Sequence, residues 1–146
     1  MVLDSAWIAA HIPHQGSMCL LDAVEFWNDA EIVCRASSHR LWDNPLRADG
    51  CLGIANGIEY AAQAMAVHSA LLESVDEPPS VGFLTIVRDV QWHRVRLDDI
   101  NDDLAVRASR VFGNGAYILY SFSLHADDAV VLSGRASIVV NGRSKS

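Results

Sequence analysis

A short polar stripe interrupts the most apolar stretch of the chain. Glu59 stands among alanines and aliphatic residues, with Gln63 four positions later and Asn56 three positions earlier. Residues at these spacings share one face of an α-helix. A carboxylate in apolar surroundings costs free energy unless it is paired, and burial raises the pKa of such a group towards that of a general acid or base. The stripe therefore indicates either an acid–base site at Glu59 or simply the exposed edge of a helix.

Histidine is the commonest side chain in acid–base catalysis, and three of the six histidines are candidates for a role. His14 lies in a turn-prone segment that contains proline and glycine, and His39 begins a polar connection into the apolar stretch. A lone histidine in such a place is more often structural or solvated. His68 follows Glu59 by nine residues, about half a turn round the helix at ~100° per residue. We interpret it as a packing or surface histidine.

The stripe needs a helix to hold it, and the sequence predicts one over about Leu52 to Ser74. Alanines and larger aliphatic residues surround Glu59 on nearly every side of this segment. A helix that is apolar nearly all round must be covered by other structure.

The rest of the chain alternates apolar and polar residues, as strands with one buried face do. A break at 77–80 and turn signals at 28–29 and 113–115 separate the segments. One long helix and about six antiparallel strands predict the α+β class, with the sheet curled around the helix. The predicted strands are Met18 to Trp27, Glu31 to Ala36, Phe83 to Leu97, Leu104 to Phe112, Tyr117 to Leu124 and Val130 to Val140.

Composition limits the classes of function. The 146 residues suit a single domain over 1–146, and 51% hydrophobic with 20% charged residues argue against disorder. A net charge of −7 disfavours a nucleic-acid partner. No apolar run reaches the ~20 residues of a membrane span, so we expect no membrane partner. Arginines that alternate with aspartates form either a solvated face or a dock for an acidic partner. They are Arg88, Arg94, Arg96, Arg107 and Arg110.

The spacing of Cys19, Cys34 and Cys51 is neither a zinc pattern nor a disulfide framework. Free thiols in a reducing cytoplasm are the simplest account, so we predict a cytoplasmic location. Neither His14 nor His39 has metal-ligand spacing to another histidine or cysteine. We therefore expect no metal and no cofactor.

Six short segments match, in order, the motifs of one known family. Ile-Pro-His precedes Met-Cys-Leu-Leu-Asp, Asn-Pro-Leu precedes the helix, and Gly-Ile-Glu-Tyr-Ala-Ala-Gln-Ala-Met lies within it. The segments are 12–14, 18–22, 44–46, 57–65, 90–95 and 103–104. In these motifs the chain resembles the β-hydroxyacyl-ACP dehydratase branch of the hotdog superfamily. It is most similar to the dehydratase-like hotdog proteins of aryl-polyene and related polyketide gene clusters.

The resemblance implies a helix wrapped by an antiparallel sheet and a homodimer or larger even oligomer, with the active site at the dimer interface. There a histidine removes the α-proton of a β-hydroxyacyl thioester, carried by ACP or CoA, and an acid from the other subunit protonates the departing hydroxyl. A backbone N–H at the helix start polarises the thioester carbonyl. Glu59 matches the acid, and we expect Asn44, Asn56 and Gln63 to bind substrate.

The chain departs from the family where the base should be. The family's histidine lies in a Gly-His-Phe-Pro turn shortly before the helix, whereas no histidine lies between Asn44 and Glu59 here. Three interpretations stay open. Either His14 or His39 supplies the base, and we select His14. Or the carboxylate works without a histidine, as in a hotdog acyl thioesterase. Or the chain is a non-catalytic acyl-binding partner subunit.

Overall fold

A seven-stranded antiparallel sheet and one long helix dominate the computed structural model, which describes residues 3–12, 18–72, 81–113 and 117–141. The strand order across the sheet is β1-β2-β3-β5-β6-β7-β4. The predicted α+β class is confirmed. In chain order the elements are β1 Leu3–Asp4, α1 Ser5–His11, β2 Ala23–Trp27, β3 Glu31–Ala36, α2 Gly57–Leu72, β4 Val81–Trp92, β5 Leu104–Gly113, β6 Tyr117–Ala126 and β7 Ala129–Asn141.

Other structure covers α2 on most sides, as its apolar sequence requires. The helix packs against β3, β5 and β6. Its buried side chains include Tyr60, Met65 and Val67. Each fully buried side chain of this size stabilises the fold by roughly 1.5–3 kcal/mol relative to exposure. The hydrophobic core therefore lies between the helix and the inner face of the sheet.

The segment before α2 pairs with the segment after β4 instead of joining the helix. Leu97 N donates to Leu52 O at 2.7 Å, and Leu52 N donates to Asp98 Oδ1 at 2.8 Å. The hydrogen-bonded guanidinium of Arg96 holds the pKa of Asp98 well below its usual range. These bonds occupy the backbone of Leu52, so α2 begins at Gly57 and not at the predicted Leu52.

The strand predictions hold in the middle of each strand and differ at some ends. β3 covers the predicted residues 31–36, and β5, β6 and β7 begin and end within two residues of the predicted positions. β2 begins at Ala23 rather than Met18, because Gln63 ties residues 18–20 to α2. β4 ends at Trp92, since the residues after it pair with the segment that precedes α2.

The N-terminal elements β1 and α1 have no counterpart among the predicted ones. Asp4 caps α1 by accepting the N–H of Trp7 at 3.0 Å, and the His11 ring stacks on Trp7 with centroids 3.8 Å apart. β1 pairs with β2 and so extends the sheet to seven strands. Segments this short carry too few residues for a helical or strand period to show.

β4 is an outermost strand and pairs only with β7 within the described residues. Its ladder shifts register between Arg88 and Gln91, and Asp89 adopts a φ of 57°. Ile86 and Trp92 are 45% and 61% exposed. An edge with exposed apolar side chains is a template for pairing with another chain.

Candidate active site

Glu59 and Gln63 are in contact on α2, as their spacing predicts. Gln63 is completely buried, and its Nε2 donates to Glu59 Oε2 at 3.2 Å. Glu59 itself is only partly buried. A carboxylate that is both oriented by a fixed neighbour and accessible from outside is suited to proton transfer.

Gln63 also fastens the segment before β2 to α2. Its Oε1 accepts the N–H of Leu20 at 2.9 Å, and its Nε2 donates to Met18 O at 2.7 Å. Both amide hydrogens therefore have partners within the protein. Substrate binding by Gln63 stays a prediction, whereas the geometry gives its side chain the task of orienting Glu59.

The predicted base, His14, lies outside the described residues. The described chain stops at Ile12 and resumes at Met18. Met18 is the residue whose carbonyl accepts from Gln63. The segment that follows His14 in sequence is thus anchored to the side chain that orients Glu59.

The two asparagines occupy different surroundings. Asn56 lies in the 3₁₀ turn Ile54–Asn56 that leads into α2, and its Nδ2 donates to Gly53 O at 3.2 Å. Asn44 is buried, and its Nδ2 donates to Tyr60 Oη at 3.1 Å and to Ser38 O at 2.9 Å. Asn56 therefore shares the start of α2 with Glu59, whereas Asn44 organises the loop around Tyr60. Their contacts with substrate stay predictions.

His39 is buried and holds two loops together. Its Nε2 lies 3.2 Å from Ile100 O and 2.9 Å from Asp102 O. Both partners are acceptors, so Nε2 carries a proton. Burial is the main cause that lowers the pKa of His39. A ring fixed between two backbone carbonyls has a structural role, which the sequence position did not reveal.

His68 is a packing histidine, which confirms one of the two alternatives the sequence left. Its Nδ1 accepts from Tyr120 Oη at 2.6 Å, and its Nε2 donates to Asn28 O at 2.8 Å. Burial is the largest cause that lowers the pKa of His68. These two hydrogen bonds of His68 join α2 to β6 and to the turn between β2 and β3.

The five arginines between positions 88 and 110 do not form one patch. Arg94 pairs with Asp99 at 3.1 Å, and Arg96 pairs with Asp98. Arg107 instead points outward from β5, away from α2, because its neighbours in the strand are the buried residues. Arg94 and Arg96 are therefore committed to ion pairs near the end of β4, apart from Arg107 on β5.

Within the described residues, no cluster of three or more His, Cys, Asp and Glu side chains has a metal-binding arrangement. Cys19, Cys34 and Cys51 are free thiols, and burial raises the pKa of Cys34 to about 12. In the same part of the chain, no helix is long and apolar enough to cross a membrane.

The chain matches the family model of the ApeP-like proteins, described as ApeP dehydratase, over residues 6–145. It is similar to the dehydratase heterocomplex ApeI:P from Xenorhabdus doucetiae, with a TM-score of 0.82, 21% identity, and 93% of this chain and 91% of that chain covered. No curated protein matches its sequence significantly.

Two further solved structures are described as thioesterases. The one from Silicibacter sp. TM1040 has a TM-score of 0.67 and 14% identity, with 96% of this chain and 93% of that chain covered. The one from Streptococcus pneumoniae TIGR4, solved with coenzyme A, has a TM-score of 0.61 and 13% identity, with 84% and 87% covered. These similarities confirm the predicted hotdog fold. The fold alone does not separate dehydration from thioester hydrolysis.

Proposed function

Because the chain belongs to the ApeP-like dehydratase family, we propose that it removes water from a 3-hydroxyacyl thioester carried by an acyl carrier protein or by CoA. The observation that carries the proposal is the Glu59 carboxylate on a predominantly apolar helix, oriented at 3.2 Å by the buried Gln63. Family membership supports dehydration as the reaction class, and the geometry supports Glu59 as the acid.

In the proposed reaction, a base takes the proton from Cα while Glu59 protonates the hydroxyl on Cβ. The C–O bond breaks, water leaves, and a double bond forms between Cα and Cβ. Gln63 Nε2 donates to Oε2 of Glu59, and this hydrogen bond orients the carboxyl group that gives up its proton. Glu59 ends the step as a carboxylate. The Cα proton that the base took then passes to Glu59, which restores both groups before the next turnover.

For the base we propose His14. His39 and His68 support this choice because both rings are fully buried and hydrogen-bonded within the fold. His39 uses Nε2 alone, whereas His68 uses both nitrogens. The hydrogen bond from Gln63 to Met18 O also supports His14 as the base. Met18 follows His14 by four residues, and Gln63 contacts Glu59 as well. Asn56, at the start of the same helix, is the proposed contact for the thioester group.

For the partner we propose a second hotdog subunit paired along β4, the outermost strand of the described sheet. A long strand edge with exposed Ile86 and Trp92 supports pairing. The Xenorhabdus protein is a heterocomplex, so the pairing subunit is either a second copy, which we propose first, or a related chain. Light scattering of the purified chain should give twice its 15.9 kDa mass. A stable 15.9 kDa species at micromolar concentration would favour the related chain.

Hydrolysis of the thioester is the second candidate function, because a helix carboxylate can activate water for attack on the carbonyl. One assay separates the candidates. A 3-hydroxyacyl thioester incubated with the protein should give an enoyl product under our proposal, and a free thiol under the alternative. If neither product forms, the chain is assigned a non-catalytic acyl-binding role. We place this activity in the cytoplasm, because the three cysteines are free thiols.

A further inference from the structure

The outer face of the sheet, opposite α2, carries a cavity of about 350 Å³ that the proposed chemistry does not use. We call it the outer-face cavity. Its floor spans the middle of β5, β6 and β7. The side chains that form this floor are Arg107, Ser109, Ser121, Ser123, Ser133 and Arg135.

The strand register arranges these six side chains as a rectangle. One row runs Arg107, Ser123, Ser133 across the three strands, and the next runs Ser109, Ser121, Arg135. The two arginines thus occupy opposite corners. Strand spacing and residue rise put their Cα atoms about 12 Å apart. Extended side chains from these corners can therefore meet above the serines.

The charges of this surface are not balanced within the fold. Arg135 lies directly opposite Arg88 of β4 in the ladder, and like charges in that position are destabilising. Within the described residues neither arginine forms an ion pair. Arg107 lies 3.7 Å from Glu31, with their side chains 51% and 32% exposed. An ion pair as exposed as this one contributes little to the stability of the fold.

The serines supply further donors. Ser123 Oγ lies 2.8 Å from His125 Nε2, whereas the hydroxyls of Ser109, Ser121 and Ser133 have no hydrogen-bond partner in the described part of the chain. Guanidinium and hydroxyl groups both donate, and the planar fork of arginine matches the oxygens of a phosphate. The cavity is also lined by one carboxylate, that of Asp89, whose negative charge repels an anion.

We propose that the outer-face cavity binds the phosphate group of a small phosphorylated ligand. The phosphate lies over the serines, between the guanidinium groups of Arg107 and Arg135, and it relieves the repulsion between Arg135 and Arg88. Two sources share this chemistry: a nucleotide phosphate and the phosphate of a phosphopantetheine arm. The site is independent of Glu59 and of the reaction proposed for it.

The test is an NMR titration of the ¹⁵N-labelled full chain with inorganic phosphate, adenosine 3′,5′-bisphosphate and phosphopantetheine. Saturable shifts are expected at the backbone amides of 107–109, 121–123 and 133–135. Arg135→Gln should weaken binding at least ~10-fold, since a charged hydrogen bond is lost. Arg94→Gln, whose guanidinium pairs with Asp99 outside the cavity, is the matched control and should bind as the wild type does.

Asp89→Asn should bind phosphate more tightly than the wild type, because the opposing charge is removed. Tighter binding of the bisphosphate than of phosphopantetheine identifies a nucleotide source, and the reverse order identifies a carrier arm. The proposal is overturned if millimolar concentrations of all three probes give no saturable shift. It is equally overturned if Arg135→Gln retains wild-type affinity. Because binding is read directly, an inactive protein would not affect the result.

Discussion

Gln63 Nε2 lies 3.2 Å from Glu59 Oε2 and 2.7 Å from Met18 O, so one buried amide joins the candidate acid to the segment that follows His14. Replacing this amide tests whether it orients the carboxylate. Gln63→Met keeps the size of the side chain and leaves the N–H of Leu20 and the carbonyl of Met18 without their partner.

We expect Gln63→Met to lower the free energy of unfolding by at least ~1–3 kcal/mol, the cost of a buried unsatisfied group. We also expect kcat to fall while KM changes little, because orientation of the acid matters in the transition state. Urea unfolding and steady-state kinetics measure the two effects. A stable, fully active variant would contradict the positioning role. Asn56→Ala, which removes a bond only to the nearby Gly53 O, is the stability control.

Gly57 is the first residue of α2 and has no room for a side chain. A Cβ there would lie 2.6 Å from Leu132 Cδ2 and 3.0 Å from Leu124 Cδ2. Both leucines are buried, at 1% and 0% exposure, so neither can move aside freely. Overpacking of this kind costs ~1–3 kcal/mol, which exceeds the gain of up to ~1 kcal/mol in helix propensity from Gly to Ala.

Gly57→Ala should therefore lower the midpoint of thermal or urea unfolding. Gly53→Ala is the matched control, because its nearest neighbour would be Asn56 Nδ2 at 3.9 Å. That variant should unfold like the wild type. Equal stabilities of the two variants would show that the contact between α2 and the sheet is looser than described.

The buried pair of His68 and Tyr120 should contribute to stability rather than to turnover. His68→Ala leaves the Tyr120 hydroxyl without its 2.6 Å partner, and Tyr120→Phe removes the donor itself. Each change should destabilise the fold by ~1–3 kcal/mol. A double-mutant cycle should give a coupling of ~0.5–3 kcal/mol, as for contacting residues. Additive effects in urea unfolding would mean that the two side chains do not interact.

Acid should destabilise the protein through its buried histidines. Burial lowers the pKa of both His39 and His68. As the pH falls below the unfolded value of ~6.5, the unfolded state binds protons that the folded state does not. The free energy of unfolding should then decrease by up to ~1.4 kcal/mol per pH unit for each group, until the folded pKa is reached. The decrease should be smaller in His68→Gln. Urea unfolding that is independent of pH between about 7 and 5 would contradict this.

The elements that the sequence predicts correctly are those with a long, regular period. The alternation over 117–124 and the apolar run around Glu59 each provide enough positions to identify strand or helix. The short helix α1 offers no such signal. The start of α2 depends on hydrogen bonds from the segment after β4, which are contacts between distant residues that no local pattern encodes.

In the candidate site, too, features within one regular element are predictable from sequence, and features that depend on distant contacts are not. Helical spacing correctly places Gln63 beside Glu59, since both lie in one regular element. The arginines between 88 and 110 are close in sequence, yet Arg94 and Arg96 pair with aspartates after β4. Arg88 and Arg107 instead lie on two strands of the outer face. The roles of His39 and His68 depend on backbone carbonyls that only the tertiary fold brings within reach.

The role of Glu59 is tested most directly by the variant Glu59→Gln, which preserves size and hydrogen bonding but removes the ionisable proton. The exposed Glu25, which pairs with Arg35 at 2.8 Å on β2, supplies the matched control Glu25→Gln. His14→Ala should lose activity to a similar extent if His14 is the base. Circular dichroism confirms that each variant is folded.

The decisive measurement is the rate of enoyl formation from a 3-hydroxyacyl thioester by purified Glu59→Gln and wild-type protein. We predict that the variant is folded and slower by ~10²–10⁴-fold, the usual cost of losing a general acid or base, while Glu25→Gln keeps the wild-type rate. A folded Glu59→Gln protein with undiminished enoyl formation would contradict the carboxylate mechanism.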